Sequence, residues 1–224
     1  MGLSKKTLLA LPLGLMISTS ASAAFFDYKN EYFHKDDVWR TKFNLGAAFG
    51  SHSVYINPTA NGLPFDDMSI LIVDVSYGYN YRLNDNWRLN PGFLTTFGKT
   101  ATTYKPQFHV HYQADNRMMA KIRYRHNFRE FTTDKSSEQT GQITAHFGYN
   151  GEELVTYVYG NLYKGYDGQD LYDNKDTNYE LNYYLGYNLK QWNLRPYVEF
   201  SDVLVSPDSD KRQLRSRVGF TYSF

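Results

Sequence analysis

Residues 117–129 carry Arg117, Lys121, Arg123, Arg125 and Arg129, all on odd positions and the middle three two positions apart. In an extended strand alternate side chains share one face, spaced about 6.5–7 Å. Lys121, Arg123, Arg125 and Arg129 then form a cationic row, with Arg117 expected below them. Like charges so close repel unless a counter-ion or anionic solute intervenes. A guanidinium fork also binds a carboxylate bidentately, so the chemistry on offer is reversible anion binding. Residues 104–112 place Lys105, Gln107, His109 and His111 on one face, and the C-terminus adds Arg215 and Arg217. Arg40, Lys42, Arg88 and Arg195 stand opposite in phase to their apolar neighbours. The acids of matching phase are fewer: Asp27, Glu31, Asp74, Glu180 and Glu199.

Other chemistry is poorly supported. With no cysteine, disulfides and thiolate metal sites are excluded. His109 and His111 share a face, and with His146 three imidazole ligands are conceivable. Polar lining is the simpler reading, and no metal or cofactor is expected. His126 has the outward phase, but no Ser sits beside it on its own strand, so no catalytic residue is assigned.

The elements that position these side chains are strands. Residues 41–47, 73–81, 178–187 and 217–224 alternate apolar with polar or glycine residues, the period-two pattern of a sheet between two solvents. A soluble sandwich builds its apolar face mainly from aliphatic residues. Here that face is rich in the chain's 21 Tyr and 15 Phe, which suits a surface running from hydrocarbon to headgroups. The longest apolar run, 7–17, is too short to cross a bilayer as a helix, which needs about 20 residues.

Residues 1–23 read as an export signal: Lys5 and Lys6, an apolar run from Leu8 to Ile17, then Ala21-Ser22-Ala23 before a cleavage site. Removing the signal turns a formal charge of +1 into −1. Residues 24–224 then form one domain, expected in the bacterial outer membrane in contact with lipid and lipopolysaccharide, with no role for nucleic acid.

Short turns are expected near 49–51, 83–86, 113–116, 150–152 and 190–191. Longer breaks are expected at 35–37, 58–67, 98–101, 130–138, 165–176 and 206–211. These connections join twelve strands into an all-β, antiparallel, up-and-down transmembrane barrel with both termini periplasmic. Dropping the breaks at 35–37 and 98–101 would leave ten. A bulge or local break is expected at Pro106, which removes a ladder donor. Phase fixed from Phe220, Tyr222 and Phe224 on lipid turns the basic residues inward and leaves most acids in connections.

The C-terminal stretch 210–224, Leu194-Arg195-Pro196-Tyr197-Val198-Glu199, Tyr104-Lys105-Pro106-Gln107, Arg123-Tyr124-Arg125 and Phe26-Asp27-Tyr28-Lys29-Asn30-Glu31 resemble the oligogalacturonate-specific porin (KdgM-type) family. The resemblance implies a monomeric twelve-stranded channel for acidic saccharides such as oligogalacturonate or sialic acid. It further implies two facing basic tracks, with Arg123 and Arg125 on one and Arg215 and Arg217 on the other. Arg195 and Lys105 occupy matching motif positions. His109 and His111 depart from the pattern, in which further Arg follows. The function expected is passive diffusion of small acidic oligosaccharides, the alternatives being a general, weakly anion-selective porin or a barrel enzyme.

Overall fold

The computed structural model describes residues 23–64 and 68–224, so the export signal expected at 1–23, all but its last residue, and residues 65–67 lie outside it. Thirteen strand segments follow in chain order. They are β1 (Ala23–Phe33), β2 (Val38–Phe49), β3 (His52–Asn61), β4 (Ser69–Tyr79), β5 (Tyr81–Arg82), β6 (Trp87–Gly98) and β7 (Ala101–Gln113). The rest are β8 (Met118–Phe131), β9 (Glu138–Asn150), β10 (Leu154–Gly165), β11 (Thr177–Tyr187), β12 (Leu194–Leu204) and β13 (Arg212–Ser223). Tyr81 and Arg82 continue β4 past Asn80 and pair with β6, as β4 itself does, so the thirteen segments make twelve staves. Each stave pairs antiparallel with its sequence neighbours, and β1 pairs with β13, closing the barrel. Closure leaves no unpaired edge, which an apolar solvent requires.

Ala23 of β1 pairs with Ala48 beside the turn at Gly50, and Tyr222 pairs with Leu194 just after the 190–192 turn. Ala23, the first described residue, and the C-terminal residues therefore lie at the end of the barrel that carries the short turns.

Burial is inverted relative to a soluble protein. Outward side chains are large and apolar: Leu162 and Val218 are each 62% exposed, Leu181 59% and Phe147 58%. The most deeply buried side chains are Glu31, Asn182, Thr41, Thr144 and Ser201. Among the described residues the buried apolar cluster is small, Val155, Tyr184 and Tyr197, with Tyr157 against it.

One sequence expectation is corrected. β3 runs through Pro58 to Asn61, so the break anticipated at 58–67 starts only after residue 61. The strand tolerates Pro58 because its pairing to β2 lapses at residues 57 and 58, and a register shift to β4 follows at Thr59/Ala60. At Pro106 the structure has the local break expected there, without a bulge. Pairing to β8 lapses between Tyr104 and Gln107 and resumes in the same register, while pairing to β6 is continuous. The missing donor thus costs a local gap and no extra residue.

Glycines on the inner wall let neighbouring strands and one tyrosine ring come close. A Cβ on Gly148 would sit 2.4 Å from Cβ of Tyr157, and one on Gly219 would sit 2.8 Å from Cζ of Tyr197. Tyr157 and Tyr184 stack at 4.5 Å between centroids and 5° between planes, and Tyr197 follows at 5.0 Å.

Candidate functional site

The inward phase of β7 and β8 gathers Lys105, His109, His111, Lys121, Arg123, Arg125 and Arg129 on one wall. Direct pairing places His109 opposite Arg123, His111 opposite Lys121, and Gln107 opposite Arg125. Their outward neighbours Ile122, Tyr124 and Phe128 are exposed, as phase requires. Arg125 donates from Nε and Nη2 to Oε1 of Gln107 at 3.1 and 2.9 Å, and Arg123 donates to Oγ1 of Thr144 at 2.7 Å. Both partners are neutral. Among the described residues no carboxylate makes an ion pair with Lys105, Lys121, Arg123 or Arg125. Arg129, nearer the loops, pairs with Glu138 at 3.3 Å and lies over the Phe131 ring. With Lys105, Thr96, Thr103 and Glu138 it lines a loop-side cavity of about 610 Å³.

The opposite wall, β13, β1 and β2, is differently balanced. Glu31 on β1, 0% exposed, pairs with Arg217 and lies 3.2 Å from Nζ of Lys42. Arg217 also pairs with Glu199, which accepts a hydrogen bond from the Tyr159 hydroxyl at 2.6 Å. Its one positive charge is shared between two carboxylates. Arg215, one rung away, donates to Ser201 and Asn182 at 3.2 and 3.3 Å and has no acidic partner among the described residues. Arg40 lies 4.6 Å from the centroid of Phe33, opposite Glu31 in register.

Arg195 and Arg88 sit toward the short turns. Arg195 lines a cavity of about 410 Å³ with Asp27, Lys29 and the three stacked tyrosines. Arg88 pairs in register with His111, which extends the β7–β8 wall to the turn-side mouth. Arg117, expected beneath the row, is instead in the turn itself, at φ 70°, half-exposed and paired with Glu152 at 3.0 Å. The alternation that carries Arg129, Arg125, Arg123 and Lys121 inward ends where β8 begins, at Met118.

His109 and His111 stack at 5.7 Å and 6°. His146 stacks on Tyr159 at 4.7 Å, and among the described residues no three His, Asp or Glu side chains are grouped to hold a metal. Sequence phase missed the counter-charge pattern. Glu31, Arg217 and Glu199 lie 168 or more positions apart at the extremes, and only the β1–β13 and β12–β13 registers reveal the cluster. The readable clue was that all three hold the inward phase.

A closed twelve-stave barrel with an apolar exterior and a polar, arginine-rich interior is an outer-membrane channel. The profile of the oligogalacturonate-specific porin protein (KdgM) family matches residues 17–224, and the chain belongs to that family. KdgM of Dickeya dadantii, named as an oligogalacturonate-specific porin, is 29% identical over 98% of this chain and 100% of its own length. The uncharacterized protein YiiY of Salmonella typhimurium is 31% identical over 98% and 97%. The solved NanC porin superposes with a TM-score of 0.74 at 18% identity, covering 88% of this chain and 98% of its own, a likeness of fold. The family is one of channels and not of enzymes, and its place is the outer membrane.

Proposed function

We propose that this channel passes small acidic saccharides, uronate oligomers or related sugar acids, into the periplasm by diffusion along the β7–β8 wall. The observation that carries the reading is that Arg123 and Arg125 are held by neutral side chains, so their charge is not spent within the protein. Lys105, Lys121 and Arg129 extend the row to both sides, and a carboxylate can be handed from one cation to the next. Selectivity also requires release, and single charge-assisted contacts spaced along a strand are each weak enough to break. Arg215 adds a second contact point across the lumen, and Arg40, Arg88 and Arg195 raise the positive potential toward the mouths, while Lys42 is paired with Glu31. Arg217 serves mainly to brace the wall. The barrel works as a monomer, with short turns and both termini in the periplasm and its loops toward lipopolysaccharide.

Planar-bilayer recording tests this. Under a potassium chloride gradient the reversal potential should report preference for chloride, and a uronate oligomer should interrupt the current where a neutral disaccharide of similar size does not. Equal permeability to both ions overturns the proposal. Anion preference without saccharide interruption would make the protein a general anion-selective porin.

A further inference from the structure

On the turn side of the arginine row the lumen wall is hollowed. Gly78 of β4 and Gly92 of β6 pair directly, both in the inward phase, so two adjacent positions of the wall lack side chains. Ser53 Oγ and the Asn90 amide close over Gly78, and beside them lies a cavity of about 260 Å³ lined by Ser53, Tyr55, Ser76, Asn90, His109 and Lys121, among others. That volume lies just below the range of about 300–1,000 Å³ typical for drug-sized ligands. It suits one sugar ring better than an oligomer.

The lining is built for hydroxyl groups. Lys121 carries its only formal charge other than what the imidazoles could take up, and no carboxylate lines it. Ser53, Ser76 and Tyr55 offer hydroxyls that both donate and accept. Asn90 is fixed in place by donating to the Tyr79 carbonyl at 3.1 Å and to Oδ1 of Asn80 at 2.9 Å. His109 is only 8% exposed, yet both Nδ1 and Nε2 are buried without a hydrogen-bond partner. A buried polar atom left unpaired costs about 1–3 kcal/mol. A neutral imidazole carries one donor and one acceptor, the complement of a vicinal diol.

We infer that the niche beside His109 is a sugar-hydroxyl subsite: a pyranose ring whose carboxylate meets Lys121 or Arg123 places its hydroxyls on His109 and Asn90. Guanidinium groups read charge, and this niche reads hydroxylation. It separates a sugar acid from an inorganic or aliphatic anion of equal charge. The inference rests on the passage of acidic saccharides proposed above.

The experiment compares current interruptions by digalacturonate and by succinate, two dianions of which only one is a sugar, in the full-length channel. In the wild type the digalacturonate dwell is the longer. In His109→Ala, and separately in Asn90→Ala, the ratio of the two dwell times should fall about fivefold, the loss expected for one hydrogen bond worth about 1 kcal/mol. His109→Gln, which keeps a donor and an acceptor, should restore part of the ratio, and folding of each variant is checked by heat-modifiable migration. An unchanged ratio in both alanine variants overturns the subsite, as does an equal loss for the two anions. Absence of anion preference in the wild type would instead sink the channel proposal, so the two failures are distinct.

Discussion

Arg125 and Gln107 face each other across a rung of β7 and β8, and one amide oxygen accepts both guanidinium hydrogen bonds. The amide fixes the direction of the fork without cancelling its charge. Arg217 shows the opposite arrangement, with two carboxylates on one guanidinium. Two arginines of the same phase thus have different work, and substitution should separate them.

Replacing Arg123 and Arg125 together with Ser should lower the chloride-to-potassium permeability ratio about three- to tenfold at low salt. The effect should fade toward 1 M, where the screening length falls to about 3 Å. Reversal potentials at several ionic strengths measure it. A ratio that stays at the wild-type value removes the β7–β8 wall from the pathway.

Replacing Arg217 with Ser should act on stability first. It strands Glu31 and Glu199 in the wall, and breaking a buried pair costs about 3–5 kcal/mol. The urea midpoint of the refolded barrel in detergent should drop, whereas Arg125→Ser should leave it close to the wild type. Equal stability of the two variants would contradict the assigned roles.

A methyl group on Gly148 would stand 2.2 Å from the Thr156 carbonyl oxygen and 2.4 Å from Cβ of Tyr157. Gly148→Ala should therefore destabilise the barrel by at least the roughly 1–3 kcal/mol of ordinary overpacking. Tyr157→Ala should not relieve this, because alanine keeps the Cα and Cβ that the new methyl would meet and the closest clash is with the Thr156 backbone. Full rescue in the double variant would show that the ring alone is the obstacle.

At the turn end Glu152 joins three connections, pairing with Arg117 at 3.0 Å and Lys190 at 2.7 Å. The hydrogen bond from Lys190 holds the Glu152 carboxyl below its ordinary range, and the same bond holds the Lys190 ammonium above its own. The link should persist above the carboxylate range and be lost as pH falls through the depressed value of Glu152. At the alkaline end it should fail as pH rises through the raised value of Lys190. An NMR titration in micelles should give a Glu152 midpoint below about 4.3, moving upward in Lys190→Gln. A midpoint indifferent to residue 190 would refute the link.

Much of this architecture was readable in the chain because period two is a local property. The phase of Phe220 and Phe224 alone sends Arg215 and Arg217 inward, and the turn at Gly50, where φ is 60°, announces itself by residue type. Proline was harder. Pro106 and Pro58 both open gaps in pairing, but only near Pro58 does the register shift, a difference set by the neighbouring strand. Partnering was harder still. Nothing near residue 217 says that Glu31 lies 2.5 Å away, since that contact exists only once the first and last strands meet.

That meeting has a consequence for biogenesis. The pair between the first and last strands means that Glu31 acquires its guanidinium only when the chain has been made through residue 217. A polypeptide cut short before that point carries a carboxylate into the wall with Lys42 as its remaining neighbour and no strand to cover it. The seam thereby ties the charge balance of the wall to completion of the last strand.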